Sequence, residues 1–303
     1  MAVHRPPVCD YEGHPYQTAF WDQGRAYEDG AERIALRALL PPVGRRLIEI
    51  GAGYGRLADL YGGYDEVTLF DYARSQLLQA RQRLGDAAPG GRPRYRYVLG
   101  NFYHLPFAPG LFDVVVLVRT LHHAADGPAL LAGVAHILAP GGNFVLEFAN
   151  KCNLKAILRY ALRRQDWSPF DLQPVEFARL HFDFHPAWVR RQMAALDLRV
   201  VQTRTVSHFR LDLLKRAMPT GLLVALDRLC QPTGALWQLT PSVFVRAVAP
   251  ADNPAAPSSA FFRCPACGST ALVDEAERLT CAECGARFPL QDGLYDFRGE
   301  EGP

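Results

Sequence analysis

Three glycines on alternate positions close a short apolar run in Leu47-Ile48-Glu49-Ile50-Gly51-Ala52-Gly53-Tyr54-Gly55. The pattern predicts a strand, a tight turn and the start of a helix. Glycine lets the backbone turn sharply there and approach a ligand with no Cβ in the way. The dinucleotide fingerprint G-x-G-x-x-G fails, because Arg56 stands where its last glycine belongs. A phosphate loop of the form G-x-x-x-x-G-K-[ST] is absent too. Glu49 narrows the choice further. A carboxylate beside the loop repels a pyrophosphate, whereas S-adenosylmethionine carries an ammonium and a sulfonium and no phosphate. Asp71 follows the second apolar run, where a carboxylate can accept both ribose hydroxyls of an adenosine. The purely structural alternative has the glycines making a tight turn and Asp71 capping a helix before Ala73.

Around this loop, strand and helix patterns alternate. Ala31–Leu40 has helical spacing and stops at Pro41-Pro42. Leu47–Ile50, Val67–Phe70, Tyr95–Leu99, Val114–Val118 and Phe144–Phe148 have the character of strands. Ser75–Leu84 and Pro128–Leu138 have the character of helices. The valine-rich run at 114–118 suits a strand buried on both faces. Alternation of this kind predicts a mostly parallel sheet with helices on both faces. Residues 151–240 break the rhythm with several helices and a dense aromatic stretch, and are expected to form a lid. Arg199–Val206 and Val243–Val248 are candidate closing strands. Residues 1–30, with Tyr16, Phe20, Trp21 and Tyr27, form a lead-in expected to pack on the main domain at 31–248. The Ala/Pro/Ser stretch 249–260 has linker character. Residues 261–303 then form a separate unit, and the linker predicts that unfolding of this unit leaves cofactor binding mostly intact.

The 303-residue chain is 49% hydrophobic and 21% charged, which supports a sizeable packed core. A formal net charge of +2 names no partner, so any nucleic-acid or membrane contact needs a local patch. No uninterrupted apolar run can cross a bilayer, and Met1 to Asp10 lacks an apolar signal core, so a cytoplasmic location is expected. Four of the 7 cysteines fall in two pairs, Cys264/Cys267 and Cys281/Cys284. Each pair has C-x2-C spacing followed by glycine, which allows backbone amides to point at the thiolates. Such a quartet predicts a tetrahedral structural zinc site, with iron second. All four thiolates are then ligands and no open position remains for catalysis. A unit of roughly forty residues needs such a metal staple.

Taken together, residues 31–150 resemble the class I S-adenosylmethionine-dependent methyltransferases, especially the quinone-biosynthesis branch. The matching stretches run from Glu49 to Gly55, Leu69 to Asp71, Gly100 to Phe107 and Phe112 to Val115. Leu121-His122-His123 and Leu138 to Gly142 complete the set. The resemblance implies a seven-stranded, mostly parallel Rossmann-like sheet whose last strand is antiparallel. It implies a cofactor site drawn from Glu49, Gly51, Gly53, Gly55, Asp71, Tyr72, Asn101, Phe102 and Arg119. The family usually has Asp at position 101 to contact the adenine amino group, and the side-chain oxygen of Asn101 can still accept there. The C-terminal unit, with its Arg287 to Tyr295 tail, is similar to the small zinc-binding activator subunit of tRNA, rRNA and release-factor methyltransferases.

Methyl transfer from a sulfonium asks an enzyme mainly to position the acceptor and exclude water. His122 and His123 follow the fourth strand, where ligands bind in open α/β folds, and either can act as a base near neutral pH. Polar lining or helix capping is the alternative. Glu147 and Asn150 end the fifth strand and either face the acceptor or serve the fold. The N-P-P-Y motif of adenine and glutamine methyltransferases is absent. Lys151, Lys155, Arg159 and Arg163 recur every four positions, with leucines on another face of the same helix over 151–165. This stripe is either solvated, a phosphate-backbone contact or a membrane-surface contact. The ribbon and stripe tilt the expected acceptor toward RNA or a translation-related protein. A small or lipid-like metabolite is the alternative, and a non-catalytic zinc-ribbon binding protein is the rival of another class.

Overall fold

The structure is a computed structural model that describes residues 6–15, 21, 23–86 and 95–299. Tyr16 and Phe20 of the lead-in lie outside the described residues. The first helix, α1 (Ala26–Leu39), buries Tyr27, Ala31, Ala35 and Leu39 on one face, and with them Glu28 and Glu32. There follow β1 (Gly44–Ile50), β2 (Tyr64–Asp71), α2 (Arg74–Leu84), β3 (Tyr95–Leu99), β4 (Phe112–Leu117), α3 (Gly127–Ile137) and β5 (Leu138–Ala149). The region that breaks the alternation contributes α4 (Leu154–Ala161), a hairpin of β6 (Val175–Ala178) and β7 (His181–Asp183), and α5 (Pro186–Ala195). Then come β8 (Arg199–Val206), α6 (Asp212–Ala217), α7 (Thr220–Cys230) and β9 (Ser242–Val248). Four short strands end the chain, β10 (Leu272–Asp274), β11 (Arg278–Cys281), β12 (Arg287–Gln291) and β13 (Leu294–Asp296).

Seven strands form the expected body in the order β3-β2-β1-β4-β5-β9-β8. β1 pairs parallel with β2 and β4, and β9 runs antiparallel between β5 and β8. The valines of β4 alternate between the two faces, as a two-residue period requires. Val115 joins Ile48, Phe70 and Val98 in one core, while Val114 and Val116 join Leu47 and Leu69 in the other.

The expected count of seven is exceeded, because among the described residues the sheet has eleven strands. β13 pairs parallel with β3, setting Leu294 opposite Tyr97 and Asp296 opposite Leu99, and β12, β11 and β10 follow outward. An edge strand such as β3 exposes a row of unpaired N–H and C=O groups, which an added strand satisfies. Side chains reinforce the join. Phe262 stacks on Phe107 with ring centroids 6.0 Å apart, and Phe288 and Cys281 share a core with Phe107 and Val98. The Ala/Pro/Ser stretch between the two parts is also anchored. Asn253 donates its side-chain N–H to the Leu138 carbonyl at 2.7 Å, and Ala256 N–H to that of Gly110 at 3.2 Å. The C-terminal unit is thus continuous with the main sheet.

Candidate cofactor and acceptor site

The site forms where β1, β2 and β4 end. Gly51 N–H and Ala52 N–H both donate to the Phe70 carbonyl, at 2.8 and 3.1 Å, locking the loop to the end of β2. Gly51 has φ +75°, and a Cβ there would lie 2.1 Å from Thr120 Oγ1. Gly53, at φ +53°, faces space: a Cβ on it would meet nothing closer than Gln76 Oε1 at 4.0 Å. The helix expected after the loop is only a 3-10 turn over Ala58–Tyr61. Gly62 and Gly63 follow it immediately and bring the chain into β2.

A cavity of about 830 Å3, open mouth included, lies against this loop. Its lining includes Glu49, Gly51, Gly53, Asp71, Tyr72, Phe102, Arg119 and His123 from the expected set. Gly55, Asn101 and His122 are not among its lining residues. Gly55 instead has φ +73° and accepts from the Arg83 guanidinium, and Asn101 Oδ1 accepts from Tyr103 N–H at 2.9 Å. Trp21, Tyr11, Gln76 and Thr120 also line the cavity and were not singled out as site residues from sequence. Only the aromatic richness of the lead-in signalled Trp21.

Asp71 stitches the loop to the next helix. Its Oδ2 accepts from Gly53 N–H at 2.7 Å and its Oδ1 from Ala73 N–H at 2.9 Å. The structural role is therefore realised, and the carboxylate still has lone-pair capacity for a further donor. Burial raises its carboxyl pKa, opposed by the amides of Ala73, Gly53 and Tyr72. Glu49 is buried, and its Oε2 has no partner among the described residues. Burial pushes its carboxyl up to about 7, with Tyr61 and Arg56 pulling only partly the other way. An unpartnered buried acceptor on a cavity wall is a receptor for a cation or a donor.

The two arginines nearby are committed to a buried acid. Arg56 Nη2 and Arg119 Nε each reach Glu32 at 2.8 Å. Their guanidinium groups also lie 3.7 and 4.9 Å from the centre of the Trp21 ring. Arg119 N–H donates to Glu147 Oε2 at 2.9 Å, and Ser242 Oγ to Glu147 Oε1 at 2.7 Å. Asn150 donates to the carbonyls of Gln238 and Thr240 and accepts from Cys152 N–H. Both residues are buried and bonded within the fold, so of their two expected roles the structural one fits.

His122 and His123 lie in a 3-10 turn after β4, with His181 4.8 Å from His123 between ring centroids. Burial pushes His123 down to about 4 and His122 well below its ordinary value. Both are therefore neutral at pH 7 and do not titrate near neutrality as free histidine does. His123 Nδ1 lies 3.1 Å from the Leu180 carbonyl, which assigns the ring proton to Nδ1. Nε2 is left as an acceptor for the Tyr11 hydroxyl at 3.1 Å, on the cavity wall.

At the far edge of the sheet, Cys264, Cys267, Cys281 and Cys284 have sulfurs all within 4.8 Å of one another. The closest approaches are 3.7 Å for Cys264–Cys284 and 3.5 Å for Cys267–Cys281. Four thiolates about 2.3 Å from a tetrahedral zinc stand roughly 3.8 Å apart, so the cluster has the right size.

Residues 48–146 match the family model of a methyltransferase domain. A ubiquinone/menaquinone biosynthesis C-methyltransferase from Roseobacter denitrificans is 29% identical over 119 residues, 38% of this chain and 47% of that protein. A ubiquinone biosynthesis O-methyltransferase from Thiobacillus denitrificans is 29% identical over 178 residues, 53% of this chain and 75% of that protein. The chain spans about half the length of the first curated relatives it matches. Among solved structures, a chain of the complex between the Haloferax volcanii Trm112 methyltransferase activator and a methyltransferase superposes with TM-score 0.53 at 17% identity. It covers 78% of this chain and 96% of its own. An S-adenosylmethionine-dependent methyltransferase from Thermotoga maritima gives 0.53 at 19% identity, covering 78% of this chain and 97% of its own. The chain has the Rossmann-like α/β methyltransferase fold, and its residues 48–146 match the methyltransferase domain within it.

Proposed function

We propose that this chain transfers a methyl group from S-adenosylmethionine to a small-molecule acceptor. The observation that carries this reading is the cavity at the ends of β1, β2 and β4, with an open face at Gly53 and an unpartnered buried Glu49 oxygen. When bound, S-adenosylmethionine supplies the methyl on a sulfonium leaving group. The remaining lone-pair capacity of Asp71 suits a ribose hydroxyl, Glu49 suits the ammonium, and Tyr72 and Phe102 suit an adenine ring. Tyr11 and His123 supply an acceptor-side pair, in which the neutral Nε2 accepts the Tyr11 hydrogen bond and so orients the hydroxyl toward the acceptor. The cysteine quartet would hold a structural zinc.

The sequence tilted the acceptor toward RNA, and two observations favour a small molecule instead. The curated relatives cited carry quinone-biosynthesis names. The basic stripe also loses a member, because Lys151 is buried and its Nζ donates to the Gln173 carbonyl at 2.6 Å. Lys151 precedes α4 and faces inward, where helical projection had placed it on the surface.

Glu49 makes cofactor affinity depend on pH. In the free protein its carboxyl is held up to about 7 by burial. A cationic ligand favours the carboxylate, so below that pH binding must release a proton. Affinity should fall about tenfold for each unit that pH drops below the pKa. Glu49→Gln should bind more weakly and lose this slope. Calorimetry across pH 6 to 8 checks it, and identical slopes in the two proteins would remove Glu49 from the cofactor site.

A further inference from the structure

We infer that α4 and the loop beside it form a docking surface for an anionic lipid bilayer. From Leu154 to Gln165 the chain holds four Lys or Arg residues and no Asp or Glu, and a single acid, Asp166, lies between there and Phe170. On α4 and the turn after it, Leu154, Leu158 and Leu162 are 52%, 53% and 63% exposed. Lys155, Arg159, Arg163 and Arg164 are exposed beside them. Lys155, Arg159 and Arg163 each follow a leucine by one position, so the two rows are adjacent around the helix. The small residue Ala156 is buried, which seats α4 on the fold along its other side.

The apolar row continues beyond the helix. Leu154 N–H donates to the Leu239 carbonyl at 2.8 Å, which brings the 236–239 loop against the start of α4. In that loop Leu236 is 77% exposed and Trp237 55%. At the other end Phe170 is exposed and meets Tyr160 edge-on, with ring centroids 6.4 Å apart. Exposed leucines, an indole and flanking guanidinium groups are the components of a helix that lies in the interface plane.

Charge decides the occupant. A nucleic acid would neutralise the cations but leave the leucines in water. A second copy of the chain, docked about a two-fold axis, would set this cationic face against itself. An anionic bilayer accepts both rows at once, with leucines and Trp237 at the acyl boundary and the cations among the headgroups. α4 follows directly from the end of β5, so this surface opens at the same edge of the sheet as the cofactor cavity. The docking does not depend on the methyl-transfer reading.

The test is co-sedimentation of the intact chain with phosphatidylserine–phosphatidylcholine vesicles and with phosphatidylcholine alone, at low and raised salt. The wild type should bind the anionic vesicles more tightly, and salt should weaken that binding. Lys155→Gln, Arg159→Gln and Arg163→Gln together should lose on the order of a hundredfold in affinity, about fivefold per cation. Leu158→Glu with Leu162→Glu should abolish binding while leaving the thermal unfolding curve in place. Absence of wild-type binding to anionic vesicles at low salt overturns the proposal. So does wild-type binding by the folded leucine variant. Salt-sensitive binding to bulk tRNA without vesicle binding would assign the face to nucleic acid. A concentration-dependent dimer lost in the leucine variant, again without vesicle binding, would assign it to a second copy.

Discussion

Cys281→Ser should unfold the C-terminal strands and weaken cofactor binding at the same time. A zinc held by four thiolates contributes roughly 10 kcal/mol or more to the folding of a small unit, and losing one ligand forfeits much of it. The linker character of 249–260 predicted that the cofactor site would be indifferent to such a loss. The structure predicts the opposite, through specific bonds. Phe297 N–H donates to the Leu99 carbonyl at 2.8 Å, beside Asn101 and Phe102. Arg298 Nη1 donates to the Tyr72 carbonyl at 3.2 Å, one residue beyond Asp71. Arg74 and Arg81, both on α2, are tied to Asp292. Loss of β13 frees all of these and re-exposes the β3 edge. A coupling of about 5- to 150-fold in affinity is the usual range for two sites joined this way. Elemental analysis should find metal in the wild type and little in the variant. Hydrogen exchange should rise over Tyr95–Leu99, and calorimetry should show weaker S-adenosylmethionine binding. Unchanged affinity in a variant whose C-terminal strands have unfolded would show that the two regions act independently.

Asp71→Ala should cost S-adenosylmethionine affinity tenfold to a hundredfold. One lost hydrogen bond to a charged group accounts for about 1.5–3 kcal/mol. The variant also orphans Gly53 N–H and Ala73 N–H, so the loop itself loosens. Asp71→Asn separates the two contributions. Its amide oxygen can keep one backbone donor, but it offers no charge and fewer lone pairs to a diol. The asparagine variant should therefore melt closer to the wild type than the alanine variant does, while still binding weakly. Wild-type affinity in Asp71→Ala would exclude Asp71 from the site.

The parts of the fold legible in the sequence are those written in local periods. β3 and β8 fall at Tyr95–Leu99 and Arg199–Val206, as the apolar patterns place them, and the valines of β4 sit between two cores. The lead-in shows the limit. α1 begins at Ala26, five residues before the apolar spacing starts, because Glu28 and Glu32 are buried on it. Glu32 is paired with Arg56 and Arg119, and Lys215 reaches Glu28 at 3.0 Å. Helical periodicity scores a buried acid as a surface residue, and its partners lie far along the chain. The β13–β3 pairing is hidden for the same reason. Three residues near the C-terminus carry no period long enough to name a partner some two hundred residues earlier. At the cavity, Gly51, Gly53 and both acids line the wall together, a juxtaposition the sequence shows because they sit at the ends of neighbouring strands. That His123 is held neutral was not legible, because it depends on burial beneath Leu180 and beside Tyr11.

The most direct test of the account is calorimetric titration of the intact, metal-loaded chain with S-adenosylmethionine and, separately, with NAD. Arg56 in place of a third fingerprint glycine, and the buried Glu49 beside the loop, should exclude a pyrophosphate and admit a cationic nucleoside. The account predicts S-adenosylmethionine binding at one site per chain and no heat from NAD. Binding of NAD, or of neither ligand, would contradict it.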